Sequence, residues 1–180
     1  MTEITQDAIK DAFIRIYRKK GMNGITVKNL CQDVPIARTT FYTYYENIDE
    51  VLVEIEDEFV NQIKLIANTM SNGNIENLNF SNYFDAVMNH IHQNWDMVES
   101  LLVLHPDIRF MGKWKEAIKY HFRIRFPDKT TITNYNLIAE VIACSVLGGY
   151  AHWIKHPDEF DAKALNKVTQ AAFSTIDELI

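Results

Sequence analysis

Residues 25–52 read ITVKNLCQDVPIARTTFYTYYENIDEVL, and this stretch decides the fold. Thr26 is a residue type that caps helices, and the apolar side chains that follow it at helical spacing end with Leu30 and Cys31. Pro35 cannot continue a helical hydrogen-bond ladder, so this helix must end before it. The pattern therefore predicts a short helix followed by a tight turn.

A second short helix is predicted from about Ala37 to Tyr45. Phe41 and Tyr45 lie one turn apart and would form its buried side. The other side chains then point largely away from the core: Arg38, Thr39, Thr40, Tyr42, Thr43 and Tyr44. Two short helices with a tight connection are typical of a helix-turn-helix.

A longer helix is predicted before this motif. Its apolar side chains recur at helical spacing from Ile9 to Tyr17, and the basic run at residues 18–20 and Gly21 follow. Cations and glycine are favoured at helix C-termini, so the helix should end there.

After the motif, a helix is predicted from Asp49 to about Met70. One side is apolar, and its first half carries Glu54, Glu56, Asp57 and Glu58 on a face that we expect to be solvated. This helix would connect an N-terminal domain, residues 1–48, to a C-terminal domain, residues 49–180.

The rest of the chain also shows helical patterns. A loop is predicted at 71–79, and Ser81 is placed to cap the helix that follows it. Further helices are predicted at 96–104, 108–126, 133–155 and 158–179, with prolines marking the breaks. The predicted fold is all-α, with an N-terminal three-helix domain that contains the helix-turn-helix, joined by a long helix to a helical C-terminal domain.

The charge is unevenly distributed. The 180 residues carry a net charge of -6, which alone would disfavour a nucleic-acid partner. Residues 15–45, however, contain six basic side chains and one acidic one. They are Arg15, Arg18, Lys19, Lys20, Lys28 and Arg38, against Asp33. The region that contains the helix-turn-helix is therefore basic, and the remainder is acidic.

Several other classes of protein are disfavoured. No apolar stretch is long enough to span a bilayer, and the first ten residues lack a secretory pattern, which predicts a cytoplasmic protein with no membrane partner. Cys31 and Cys144 lie far apart and outside any metal-binding pattern, so no disulfide, metal or cofactor is predicted. No motif typical of an enzyme is present.

The outward side chains of the second short helix suit double-stranded DNA. A helix fits the major groove, where Arg38 can pair with guanine or phosphate and the threonines can offer hydroxyl and methyl groups. Tyr42 and Tyr44 can reach phosphates, and Thr26 and Lys28 lie at a helix N-terminus, which also suits a phosphate. The alternative is an ordinary solvated face.

The order of these residues resembles the N-terminal DNA-binding region of the tetracycline-repressor-like (TetR) family, from about residue 5 to residue 60. The resemblance implies a homodimeric repressor that reads a near-palindromic operator and often responds to a small-molecule effector. Tyr42 matches the phosphate-contacting tyrosine of the family. The positions that match the groove-facing ones are Arg38, Thr39, Thr40 and Thr43, while Tyr45 matches a buried aromatic.

Three positions depart from the family pattern. Pro35 replaces the usual glycine and cannot adopt positive φ, so we expect the turn to differ. Ala37 replaces a capping residue, at a cost of about 1 kcal/mol. Ile48 replaces a common lysine, for which Asn47 can substitute as an uncharged phosphate contact. The sequence Asn-Ile-Asp-Glu that begins at Asn47 resembles a Gram-positive subgroup.

The C-terminal domain allows two interpretations. Its aromatic, methionine and histidine side chains can line an effector pocket or form an ordinary core. The candidates for the pocket are Tyr83, Phe84, Met88, His92, Trp95, Trp114 and His121. His152 and His156 share a helix face, but no third metal ligand is evident.

The last two helices resemble the dimerising pair of the family. Gly148 and Gly149 lie on the penultimate helix, where the lack of a side chain allows another helix to approach closely. The alternative to a dimer contact is a contact with a helix of the same chain. A regulator controlled by a protein partner, with no small-molecule pocket, is a third possibility. A pocket filled by side chains would favour it.

Overall fold

The computed structural model describes residues 2–71, 80–126, 133–159 and 161–177. These residues form helices and no strands, so the prediction of an all-α fold is confirmed for them. The α-helices are α1 (Thr2–Lys20), α2 (Val27–Asp33), α3 (Arg38–Tyr44), α4 (Ile48–Ser71), α5 (Phe80–Gln93), α6 (Trp95–Glu99), α7 (Ile108–Arg125), α8 (Tyr135–Lys155) and α9 (Ala162–Asp177).

The first three helices pack around the apolar stripe of α1. Phe13 of this stripe is fully buried, as are Leu30 of α2 and Phe41 of α3. Tyr45 is buried just after α3, and its ring lies 5.7 Å from that of Phe41. The predicted inner faces of all three helices are therefore observed.

Thr26 caps α2 as predicted. Its hydroxyl oxygen accepts a hydrogen bond from the backbone N–H of Asn29 at 3.1 Å, and the Asn29 side chain accepts one from the Thr26 N–H at 2.8 Å. This reciprocal capping box satisfies two donors at the start of the helix. Ala37 precedes α3 and makes no side-chain cap, also as expected.

Pro35 occupies the turn between α2 and α3. The Ile36 N–H donates to the carbonyl oxygen of Cys31 at 3.1 Å, as in the helix-ending motif that places a left-handed residue after the cap. That residue is Pro35, whose φ is 26°, so the expectation that it avoids positive φ is wrong. Because proline has no N–H, the second hydrogen bond of the motif is missing.

We expect Pro35→Gly to stabilise the protein by about 1 kcal/mol. Glycine adopts positive φ without steric cost and restores the missing donor, while its flexibility in the unfolded chain costs about 1–2 kcal/mol. Thermal unfolding followed by circular dichroism measures the difference. Pro157→Gly is the matched control, because Pro157 is exposed and has no positive φ, so only the entropic loss applies. Loss of stability in both variants would contradict this interpretation of the turn.

The predicted C-terminal domain is built around α4, α7 and α8. Trp114 of α7 is 1% exposed, and its ring lies 5.0 Å from that of Phe59 on α4 and 5.3 Å from that of Tyr150 on α8. Such aromatic contacts bury much apolar surface at defined geometry. The predicted boundary between residues 48 and 49 falls at the first residue of α4.

Several predicted boundaries are corrected. Ser81 lies inside α5 and does not cap it. The helix predicted at 96–104 begins at Trp95 and continues after Glu99 as a π-helical turn, Ser100–Leu104. The last helix starts at Ala162 and not at residue 158. The loop predicted at 71–79 lies outside the described residues except for its first position, which belongs to α4.

The end of α1 is held against the C-terminal domain. The Tyr17 hydroxyl donates to the carbonyl oxygen of His105 at 3.1 Å, and Arg18 pairs with Asp96 at 2.8 Å. Gly21, at φ 63°, leaves room for the His105 ring, since a Cβ there would come within 3.2 Å of it. The helix-turn-helix is thus positioned relative to α6 and the π-helical turn.

Candidate nucleic-acid interface

The outer face of α3 is open to solvent. Arg38, Thr39 and Thr43 are exposed, and 57% of Tyr42 is accessible. Thr40 is half-buried. Because the opposite face is fixed by buried Phe41, these side chains are presented together on one short helix.

Tyr44 differs from the prediction. Its side chain is half-buried and packs against the hydrophobic core, so it does not stand fully outward with the other candidates. Its place near the end of α3 explains this, because α4 begins four residues later and the core continues beneath that junction. It can contribute only its exposed edge to a phosphate.

The N-terminus of α2 presents one free cation. Lys28 is exposed and forms no ion pair with any other residue that the structure describes. Thr26 beside it uses its hydroxyl oxygen as a helix cap, which leaves the hydroxyl proton to be donated. These two side chains remain candidates for phosphate contacts.

Asn47 is the cap of α4. Its side-chain oxygen accepts a hydrogen bond from the Glu50 N–H at 3.1 Å, and Ile48, the next residue, is half-buried. A capping side chain has a fixed orientation, so Asn47 is exposed in a defined position.

The basic character of residues 15–45 is smaller than the count of side chains indicates. Arg15 pairs with Asp33, and Arg18 pairs with Asp96 and Glu99 of the C-terminal domain. The count of basic residues includes these two arginines, but their charges are balanced by carboxylates of the same chain. Arg38 on the exposed face of α3 and Lys28 on α2 are exposed and form no ion pair with the residues that the structure describes.

The predicted pocket residues do not lie in one place. Tyr83, Phe84, Trp114 and His121 are buried and line an interior cavity of about 20 Å³, with the Tyr83 and His121 rings stacked at 3.8 Å. Met88 is buried but does not line this cavity. Burial raises the pKa of Tyr83 far above its usual value, so the phenol is neutral.

His92 and Trp95 instead line an open groove of about 860 Å³ between α1, α4 and the corner where α5 meets α6. We call it the junction groove. His92 is exposed and Trp95 is half-buried, and their rings are 6.0 Å apart. The groove has contributions from both predicted domains.

An uncovered apolar surface runs along α8 and α9. Leu137 is 63% exposed, Val141 56% and Val168 69%. A Cβ at Gly148 would meet nothing within 4 Å, whereas one at Gly149 would lie 3.2 Å from Leu165 of α9. Gly149 therefore makes a close contact with a helix of the same chain, which was the alternative to a dimer contact. Gly148 belongs to the uncovered surface.

By length and composition, α8 could cross a membrane, and it is the one such helix among the described residues. It packs on α7 and α9, and eight of its residues are buried, including Tyr150 and Trp153. A core helix of this kind passes the same test of composition. The rings of His152 and His156 lie 4.7 Å apart, and the described residues contain no group of three metal-ligating side chains.

No protein-family model matches the chain, and no curated protein matches it in sequence. Solved structures match it over nearly its whole length. A TetR transcriptional regulator from Streptococcus agalactiae 2603V is 20% identical, with 93% of this chain and 92% of that chain covered and a TM-score of 0.71.

Two further structures are the fatty acid degradation regulator FadR from Bacillus halodurans and the dihydroxyacetone kinase operon activator DhaS. FadR is 15% identical over 93% of this chain and 94% of its own, with a TM-score of 0.63. DhaS is 18% identical over 99% of this chain and 97% of its own, with a TM-score of 0.62. The chain therefore has the fold of TetR-type regulators.

Proposed function

We propose that this protein is a cytoplasmic DNA-binding transcriptional regulator of the TetR family, and not an enzyme. The observation that carries the proposal is the exposed face of α3, where Arg38, Thr39, Tyr42 and Thr43 stand together on a buried base in a fold of this type. A helix with such a face fits the major groove. Membership of the Gram-positive subgroup stays a prediction.

The contacts divide by chemistry. Arg38 and the threonines Thr39, Thr40 and Thr43 face base edges, because guanidinium, hydroxyl and methyl groups distinguish bases there. Phosphate contacts come from groups around this face. We assign these to Thr26, Lys28, Tyr42, Tyr44 and Asn47.

We further propose a homodimer through α8 and α9 that binds a near-palindromic operator. A two-fold axis brings the same surface of each subunit together, so the uncovered side chains Leu137, Val141 and Val168 would cover one another. Dimers with two recognition helices bind half-sites about one helical turn apart. Binding of the dimer to its operator would block transcription. Because DhaS is named an activator, a reporter gene should be used to measure whether this protein represses or activates.

An effector is proposed to release the DNA by moving α4. The interior cavity of about 20 Å³ has room for about one water molecule, which favours the second candidate, control by a protein partner. The junction groove, about 860 Å³, has the size of a small-molecule site and supports control by a ligand.

The test begins with selection of bound sequences from random double-stranded DNA. The affinity of α3 variants for the enriched sequence is then measured. We expect Arg38→Ala and Tyr42→Phe each to weaken binding about tenfold, with affinity falling steeply as salt rises. Arg123→Ala is the control, since Arg123 is exposed on α7, away from α3. Unchanged affinity in both α3 variants would refute the assigned face, and no enriched site would refute the function.

A further inference from the structure

The junction groove joins the two predicted domains. One wall is α1 of the helix-turn-helix domain, the floor is α4, and the other wall is the corner between α5 and α6. Its volume of about 860 Å³ lies within the range of small-molecule sites. A molecule seated there would contact α1 and the C-terminal domain at once.

The floor of the groove is aromatic. The rings of Phe59 and His90 are stacked at 4.6 Å, and His90 Nε2 lies 3.1 Å from the carbonyl oxygen of Phe59. The Asn94 side-chain amide lies 3.3 Å from His90 Nδ1. Since that amide nitrogen only donates, Nδ1 accepts and Nε2 carries the proton, which makes the ring neutral. Burial lowers the pKa of His90, in agreement with this state.

The charged groups of the groove are mainly acidic. Four carboxylates and two cations line it. Both cations are already paired, Lys10 with Glu58 at 2.6 Å and Arg15 with Asp33. Asp11 is exposed and forms no ion pair with any residue in the described part of the chain. The groove therefore offers a free carboxylate beside aromatic rings and no free cation.

From this combination we propose that the junction groove binds a small organic cation with an aromatic body. The carboxylate of Asp11 attracts the charge, and the half-buried rings of His90 and Trp95 receive the aromatic groups, since aromatic faces attract cations. The other three carboxylates of the groove are ion-paired, so an anion of the same shape would meet the unpaired Asp11 carboxylate and no free cation, which disfavours its binding. The inference rests on the proposed function in one respect: such a ligand would be the effector, because it bridges α1 and the α5–α6 corner.

Two probes of nearly equal shape and opposite charge test this proposal. Tetraphenylphosphonium should bind in a calorimetric titration, and tetraphenylborate should not. Asp11→Asn should weaken the binding of tetraphenylphosphonium about fivefold. Asp85→Asn removes an exposed carboxylate of α5 that does not line the groove, and should leave the affinity unchanged. Equal binding of both probes, no binding of the cation, or equal losses in the two variants would overturn the proposal.

Tryptophan fluorescence locates the probe. Trp95 lines the groove, whereas Trp114 is buried beside the interior cavity. Quenching by tetraphenylphosphonium should be strongly reduced in Trp95→Phe, with any remainder from Trp153, whose ring lies 5.3 Å from that of Trp95, and kept in Trp114→Phe. The reverse would place the ligand inside the domain. DNA selection is run without the probe, which separates the two hypotheses. DNA binding without binding of the cation refutes the groove site alone, and binding of the cation through Asp11 without DNA binding refutes the proposed function alone.

Discussion

Replacing Glu56 by Gln is expected to lower the free energy of unfolding by about 3 kcal/mol. Glu56 lies on α4, is completely buried, and accepts a hydrogen bond from Arg109 Nε at 2.8 Å. Lys113 Nζ lies 3.0 Å from the same carboxylate oxygen. Removing the charge leaves two half-buried cations of α7 facing a neutral amide, and breaking an ion pair that has a buried member is costly.

The loss is limited because both cations have second partners. Arg109 also binds Asp49 through two hydrogen bonds of 3.0 Å, and Lys113 lies 2.6 Å from Asp57. Hydrogen bonds to Asp49 and Glu56 raise the pKa of Arg109, although burial opposes this. We therefore place the effect at the lower end of the range of about 3–5 kcal/mol for broken buried pairs.

Glu58→Gln is the matched control. Glu58 lies half a turn further along α4, is 54% exposed, and pairs with Lys10. Exposed pairs contribute at most about 1 kcal/mol. In thermal unfolding, the Glu56 variant should melt about 6–12 °C below the wild type and the Glu58 variant within about 4 °C of it. Equal shifts would mean that the ion pairs of the buried Glu56 stabilise the protein no more than the exposed pair of Glu58.

The helix-turn-helix was predictable because local rules determine it. Helical spacing identified Phe41 and Tyr45 as buried and left Arg38, Thr39 and Thr43 outside, and the cap at Thr26 follows from the residue type. Each of these features depends on residues within two turns of one another. Which of the exposed side chains contact DNA remains a prediction.

Contacts between distant segments were not predictable in this way. Glu56 was expected on a solvated face because its neighbours in sequence are acidic, yet it is buried by two cations of α7 more than fifty residues away. Arg18 was counted toward DNA, but its partner Asp96 is 78 residues distant. Charge patterns along one helix do not show which partner another helix supplies.

The C-terminal aromatics illustrate a second limit. Trp114 and Trp95 have the same residue type and mainly polar neighbours in sequence, but one is buried in the core and the other borders an open groove. Periodicity gives the face of a helix, and the space between helices depends on how they pack. The sequence therefore could not separate a core from a pocket.

Replacing Val141 by Asp is expected to dissociate the proposed dimer and to weaken operator binding about 100-fold or more. Val141 is 56% exposed on α8, one turn from the exposed Leu137, and Val168 is exposed on α9, which packs on α8. A carboxylate placed in a covered apolar interface must lose its hydration without a partner, at a cost of several kcal/mol. A monomer then binds one half-site and loses the gain of about 10²–10⁴ that simultaneous binding of two sites gives.

Sedimentation equilibrium at micromolar concentration measures the dimer, and titration of the selected operator measures the affinity. Ile108→Asp is the matched control, because Ile108 is 86% exposed on α7 and the change in size and charge is similar. Circular dichroism must show that both variants are folded. A wild-type monomer, or a dimeric Val141 variant, would contradict the assignment of the α8–α9 surface. A monomeric Val141 variant with undiminished operator affinity would instead retain that surface as the dimer interface and contradict two-fold recognition of the operator.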